Sequence, residues 1–348
     1  MTEISTVEIA PKLEHRDIAI ILGTGAENLD RLGFNVKSPI HLDVAYSVCS
    51  TWREGKVEVY DAEIGGVPIY LLSRHSSEGA YTPAYKIDHA SNMLALMDEK
   101  QGAGAKVILA SSLVGGCKTT DWEVGDIVLA EDGIDMHADD FYIDGNEPYV
   151  HAHGLFDRGV SRILLEKARE KSIDVKSGGI YYSGPDTTKN RFETKAEMAR
   201  LLAPVYLRKY LDALADVVES LANRSLGPVG TENFRRPYLT KEEIILNEVR
   251  DSIRDKLEPN LVGMTLIREA GYARTLSTRR KVENGDEDNR NKRFAKFAGF
   301  AVPSDFPEEE ETEHSANVEV ALGKLPVIMQ IFADAVPTIQ KELLEGQL

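Results

Sequence analysis

Apolar positions follow two rhythms along this chain. Short runs rich in β-branched residues read as strands: IAIIL (18–22), VPIYLL (67–72), KVILASS (106–112), IVLA (127–130), GGIYYS (178–183) and FAGFAV (297–302). The uninterrupted ones have the pattern of strands buried on both faces. Between them, YKIDHASNMLALM (85–97) and residues 160–171 carry helical spacing. Residues 315–346 read as helix with interruptions at Pro326 and Pro337. The alternation predicts an α/β domain with a central mixed sheet flanked by helices.

The middle of the chain changes character. From Lys195 to about Leu257 the pattern is helical, and Thr240 to Glu243 form a capping box. Behind the box, Ile245, Val249, Ile253 and Leu257 recur every four residues as one apolar stripe. The Gly/Pro-containing segment 225–237 separates two helical stretches. Residues 203–257 are therefore read as a helical hairpin inserted into a single domain that spans 1–348. Residues 277–296 mix charges with no apolar period and are read as an exposed loop insertion.

Composition narrows the class. The 348 residues include 41 Lys+Arg against 57 Asp+Glu, a formal charge of −16. That balance speaks against nucleic-acid binding and against docking on anionic lipid. Two cysteines, Cys49 and Cys117, are too few for a disulfide framework or a closed zinc site and read as buried free thiols. His151 and His153 lack a third ligand nearby, so no metal is expected. Asp139, Asp140 and the run Glu308–Glu311 read as surface charge. No apolar run approaches the roughly 20 residues of a membrane span. The first fifteen residues lack a signal peptide's basic start and apolar core. A cytoplasmic protein acting on a small molecule, with neither nucleic acid nor membrane as partner, is the expectation.

Ligands of open α/β sheets collect at the carboxyl ends of strands. Three strand ends here carry polar groups: Thr24 in the Gly23-Thr24-Gly25 turn, the Arg74-His75 pair, and Ser111-Ser112 ahead of Gly115-Gly116. Small residues let backbone close on a ligand, while hydroxyl and guanidinium groups donate to an anion. The turn lacks the third glycine of a dinucleotide fingerprint.

In their order, IAIILGTGAENL (18–29), YLLSRHSSEG (70–79), KVILASSLVGG (106–116), EVGDIVLAEDGID (123–135), SGP (183–185), RFETKAE (191–197) and VGMTLIREAGYAR (262–274) resemble trimeric purine nucleoside phosphorylases and 5′-methylthioadenosine phosphorylases. The resemblance covers about 18–197 and 260–325, and leaves 203–257 and 277–296 without counterpart.

The resemblance implies reversible phosphorolysis of a purine nucleoside to free base and pentose 1-phosphate, without cofactor and with inorganic phosphate as co-substrate. It implies a homo-oligomer, a trimer or a multiple of one. Phosphate would be held by Thr24, Arg74, His75, the backbone around Leu113, and Thr265. Charge-assisted donors would neutralise it, and hydroxyls and backbone N–H groups would aim it at the anomeric carbon. The base and ribose would meet Val114, Gly115, Phe192, Glu193, Met264, Asp305 and Val318. Asp305 and His75 would be the catalytic pair, with Asp305 donating to the leaving purine ring.

Asp305 resembles the enzymes of 6-aminopurines. Val318 stands where a histidine would bond a sugar 5′-hydroxyl, and suits a methylthio group instead. Glu193 points the other way, to a 6-oxopurine, because its carboxylate would face the unprotonated ring nitrogen of adenine. A nucleosidase that hydrolyses the N-glycosidic bond, and a catalytically silent nucleoside-binding or assembly protein, are the alternatives.

Overall fold

The computed structural model describes residues 13–25, 35–48, 51–77, 80–116, 121–135, 143, 155–183, 260–283, 296–306 and 314–348. The strands are β1 (Ile18–Leu22), β2 (Asn35–Val48), β3 (Thr51–Ile64), β4 (Val67–Ser73), the short β5 (Ser76–Ser77) and β6 (Ala80–Tyr81), β7 (Val107–Gly116), β8 (Ile127–Asp135), β9 (Val175–Ser183), β10 (Leu261–Gly263) and β11 (Lys296–Asp305). The helices are α1 (His89–Met97), α2 (Arg158–Glu170), α3 (Leu266–Glu283), α4 (His314–Leu322) and α5 (Leu325–Leu344).

Nine strands form one sheet in the order β10-β9-β8-β11-β7-β1-β4-β3-β2. β10 also pairs with β7, antiparallel, through Leu261 opposite Gly116 and Val262 opposite Gly115. That second pairing closes β7, β11, β8, β9 and β10 into a barrel, and β1, β4, β3 and β2 extend from it as an open wing. β1 runs parallel to β4 and β7, and β7 parallel to β11, whereas β11 and β8 are antiparallel. The expected mixed sheet flanked by helices is therefore present.

Burial follows the two-residue period of each strand. On β1, Ala19 and Ile21 face a core shared with α1 and α3, while Ile18, Ile20 and Leu22 face one shared with α2 and α5. Residues on both faces are inaccessible to solvent, which is why these runs are continuously apolar in sequence. Asp88 caps α1, accepting from the Ser91 N–H at 3.0 Å, and Asp157 caps α2, accepting from Val160 at 2.9 Å.

Four readings of the sequence change. The long hairpin β2–β3 was not anticipated. Pro337 does not interrupt α5, which is continuous across it, and Pro326 lies in the first turn, where its missing N–H costs nothing. Residues 277–283, read as loop, continue α3; their Arg, Lys and Glu residues are good helix formers. Finally, Ser315–Leu344 contains an 18-residue window of mean hydropathy 1.4, apolar enough by length and composition to cross a bilayer. Here the greater part of it is α5, which buries Ile328, Phe332, Ala335, Val336 and Ile339 against the sheet. The hairpin read at 203–257 lies outside the described residues.

Asn260 fixes the point where the chain re-enters the barrel. Its side chain accepts from the Ile180 N–H at 2.8 Å and donates to the Gly178 carbonyl at 2.8 Å, so β10 starts in register beside β9.

Candidate functional site

The parallel strands deliver their carboxyl ends to one level. Ile21 of β1 pairs with Leu72 of β4 and with Ala110 of β7. Gly23-Thr24, Arg74-His75 and Ser111-Ser112 consequently emerge side by side. β11 sets Val302 beside Leu113, and after a register shift at Pro303 it sets Asp305 beside Gly115. A proline in an interior strand is tolerated at such an irregularity, which re-aims the residues that follow. The resulting cleft has a floor of Gly23, Thr24, Ser111, Ser112 and Leu113, to which the three hydroxyl side chains give its polar character. Val302 and the α4–α5 residues Ala321, Leu322, Leu325 and Ile328 form its apolar wall.

Thr265 reaches this floor from the opposite direction. It lies between β10 and α3, buried, and its hydroxyl is 3.1 Å from that of Ser112. Its N–H donates to the Tyr181 hydroxyl at 3.2 Å. A Cβ at Gly263 would collide with that same hydroxyl, so glycine is required for the approach. Burial pushes the Tyr181 phenol above its ordinary pKa, so it stays neutral and available as an acceptor.

Arg74 stands behind the floor, with its side chain fully buried. Its Nε donates to Glu269 Oε1 at 2.6 Å, Nη2 to Glu269 Oε2 at 2.8 Å, and Nη1 to the Ser111 carbonyl at 2.5 Å. A Cβ at Gly23 would lie 2.7 Å from Nη1, so the turn after β1 can lie directly on the guanidinium only because it has none. His75 turns its Nδ1 to the Thr82 carbonyl at 2.9 Å. A carbonyl only accepts, so Nδ1 carries the proton and a neutral ring has its lone pair on Nε2. The ring stacks on Tyr81 with centroids 5.3 Å apart.

A sequence profile of the Phosphorylase superfamily matches residues 17–219, more than half of the chain. The chain belongs to the phosphorylase superfamily. A probable S-methyl-5′-thioinosine phosphorylase of Methanopyrus kandleri is 30% identical over 153 residues, which cover 41% of this chain. The chain spans about half (54%) of the length of that curated relative. Among solved structures, a methylthioadenosine phosphorylase from an Antarctic soil metagenomic library superposes with a TM-score of 0.59 at 18% identity, covering 94% of this chain and 88% of the other. A mutant adenosine/methylthioadenosine phosphorylase of Schistosoma mansoni gives 0.58 at 17% identity, covering 94% and 92%. At these identities the structures establish a shared fold.

In this superfamily member the sequence-derived positions differ in how they relate to the cleft. Thr24 and Leu113 line the cleft, and Thr265 is linked to it through Ser112. Arg74, His75, Val114 and Gly115 are buried around it, with Met264 half-buried beside Thr265. Asp305 is half-buried at the end of β11, and the Ser304 hydroxyl beside it donates to the Val114 carbonyl at 3.3 Å. Val318 is half-buried on α4, one turn before the cleft residues Ala321 and Leu322. Phe192 and Glu193 lie outside the described residues, as do Cys49, Cys117, Asp139, Asp140, His151 and His153.

Glu269 was not singled out from the sequence, where it reads as one more charge in an Arg- and Glu-rich helix start. The available signal is its spacing. It lies four residues after Thr265 and therefore on the same helical face.

Proposed function

We propose that this protein cleaves a 5′-methylthio purine nucleoside by phosphorolysis, releasing the free purine and the pentose 1-phosphate. The observation that carries the reading is the cleft floor of Thr24 and Ser112, with Thr265 bonded to Ser112 and Arg74 to the Ser111 carbonyl behind it. Hydroxyl protons, backbone N–H groups and guanidinium N–H groups are what a phosphate needs to be held and aimed, and no acidic group lines the floor among the described residues. The relatives named above, a probable S-methyl-5′-thioinosine phosphorylase and a methylthioadenosine phosphorylase, agree with it.

In this reading phosphate is the nucleophile and no cofactor takes part. Fixed on the floor, it attacks the anomeric carbon as the N-glycosidic bond lengthens, and its negative charge stabilises the cation-like ribosyl group. Asp305 gives a proton to the departing purine ring, so that the base does not leave as a free anion. The apolar wall from α4 and α5, with Val318, suits a methylthio group better than a hydroxyl, which it would leave unpaired. The working form is a homo-oligomer, a trimer or a multiple of one.

Two purines fit different residues. Asp305 favours adenine, whose exocyclic amine a carboxylate can accept from. Glu193 favours a 6-oxopurine, whose ring N–H it can accept from, and methylthioinosine combines that base with the same sugar. The test is a panel of adenosine, inosine and their 5′-methylthio forms, with and without inorganic phosphate, read by release of free base. Phosphate-dependent release from the methylthio nucleosides is expected. Equal release without phosphate would make the protein a nucleosidase, and binding without turnover would make it a silent binder. Asp305→Asn is expected to shift preference toward the oxopurine, and an unchanged ratio would remove Asp305 from the base site.

A further inference from the structure

Among the described residues, Arg74 is the one floor-side group that carries a permanent positive charge, yet it does not stand ready as a free counterion. Its guanidinium and the Glu269 carboxylate are both sealed from solvent, at 0% side-chain exposure, and they meet fork to fork. Such a pair is electrically neutral as a unit, so what Arg74 offers a ligand is directed N–H groups, not net charge. Of the five N–H groups of an arginine, Glu269 takes two and the Ser111 carbonyl one. One on Nη1 and one on Nη2 are left, and Nη1 is the atom that lies against Gly23 of the floor.

Glu269 occupies the first turn of α3, where a carboxylate is favoured by the exposed N–H groups of the helix start. Its own N–H donates to the Thr265 carbonyl at 3.1 Å. The same turn of helix therefore supplies one floor hydroxyl and, four residues on, the anchor for the guanidinium behind the floor. His89 of α1 adds a third group, its Nδ1 being 3.8 Å from Glu269 Oε1.

We infer that Glu269 is the positioning residue of the anion site: it holds the Arg74 guanidinium at one angle, so that its remaining N–H groups face the floor made by Gly23, Thr24 and Ser111. The inference rests on the phosphorolysis reading, because it takes inorganic phosphate as the anion. Glu269 does not touch substrate and acts only through Arg74.

The experiment compares wild type, Glu269→Gln, Glu269→Asp and the double variant Arg74→Met/Glu269→Leu. Inorganic phosphate binding is read by calorimetry, and phosphate and nucleoside KM values by steady-state kinetics. Glu269→Gln is expected to weaken phosphate by about tenfold or more while the nucleoside KM moves less than about twofold. Glu269→Asp, which keeps the charge, is expected to recover most of the phosphate affinity. The double variant removes both charges without leaving either buried alone, so it is expected to fold and to lose phosphate binding. A folded Glu269→Gln with wild-type phosphate affinity overturns the inference, as does a parallel rise in both KM values. If Glu269→Gln does not fold, wild-type phosphate affinity in the double variant overturns it, and loss of that affinity supports it. Absence of phosphate binding in the wild type defeats the phosphorolysis reading and this inference together, and is recognisable because no variant is needed to see it.

Discussion

The hydroxyl oxygens of Ser112 and Thr265, on a barrel strand and at a helix start, lie 3.1 Å apart. Ser112 also donates to the Leu113 carbonyl at 3.1 Å, which leaves Thr265 as the donor between the two. Both hydroxyl protons are thus engaged within the protein. On the phosphorolysis reading, a phosphate oxygen entering the floor has to take one of them over, and a charged acceptor outcompetes a neutral one. Thr265→Val keeps the shape of the side chain and removes its proton. A hydrogen bond to a charged group is worth about 1.5–3 kcal/mol. Phosphate KM should therefore rise between about tenfold and a hundredfold, with the nucleoside KM little changed. An unchanged phosphate KM would take Thr265 out of the site.

Arg74→Ala should cost stability as well as activity. It strands the Glu269 carboxylate in a place that water does not reach. Breaking a buried pair from one side costs about 3–5 kcal/mol. The urea midpoint should fall accordingly, and a shift below about 1 kcal/mol would mean that Glu269 finds water or another partner once Arg74 is gone.

Gly263→Ala tests the approach of Tyr181 to Thr265. The new methyl would meet the Tyr181 hydroxyl, which must move or push β10 aside. Overpacking of this kind costs about 1–3 kcal/mol. Removing the hydroxyl in the double variant Gly263→Ala/Tyr181→Phe should return part of that loss, and thermal melts of the four proteins would show it. If the two effects simply add, the contact is not the cause.

At the start of β1, Asp17 ties the sheet to the last helix. It accepts from Gln340 at 2.9 Å and pairs with Lys106 at 2.7 Å. Burial alone would raise its pKa, but hydrogen bonds from Lys106 and Gln340 outweigh it and hold the carboxyl below its ordinary value. A carboxyl whose pKa is lowered by folding binds its proton more readily when unfolded. Its contribution is therefore complete above the unfolded pKa and is lost as pH falls through the folded one. Asp17→Asn should flatten the acid side of the stability–pH curve while leaving its slope above neutrality alone. A curve that keeps its acid slope would assign that slope to other carboxylates.

Some elements could be read from the chain and others could not, for physical reasons. β1, β4, β7 and β11 announce themselves because burial on both faces demands uninterrupted apolar residues. The hairpin β2–β3 has one wet face, its second strand begins with exposed residues, and Pro39 and Gly55 break its rhythm. Its clearest stretch, His41 to Tyr46, does alternate exposed and buried, and a search for period two would have found it. At the site, Thr24, Arg74 and His75 were legible as polar residues at strand ends, whereas Thr265 stood out only through the family resemblance. Glu269 was not legible, since a buried glutamate and a surface one look alike until the residue 195 positions away is seen to face it.

The closure of the barrel also governs how the chain can lengthen. It leaves at Ser183 and re-enters at Leu261, beside Tyr181, with Asn260 pinning the return to β9. The anchors of everything between are thus neighbours in the same ladder, fixed by bonds that do not involve the intervening segment. Closing a longer loop between fixed ends costs little, about 0.6 kcal/mol for each doubling of its length. Added length between these two strands is therefore cheap at this junction, because the register next to Thr265 is set by the ladder and by Asn260.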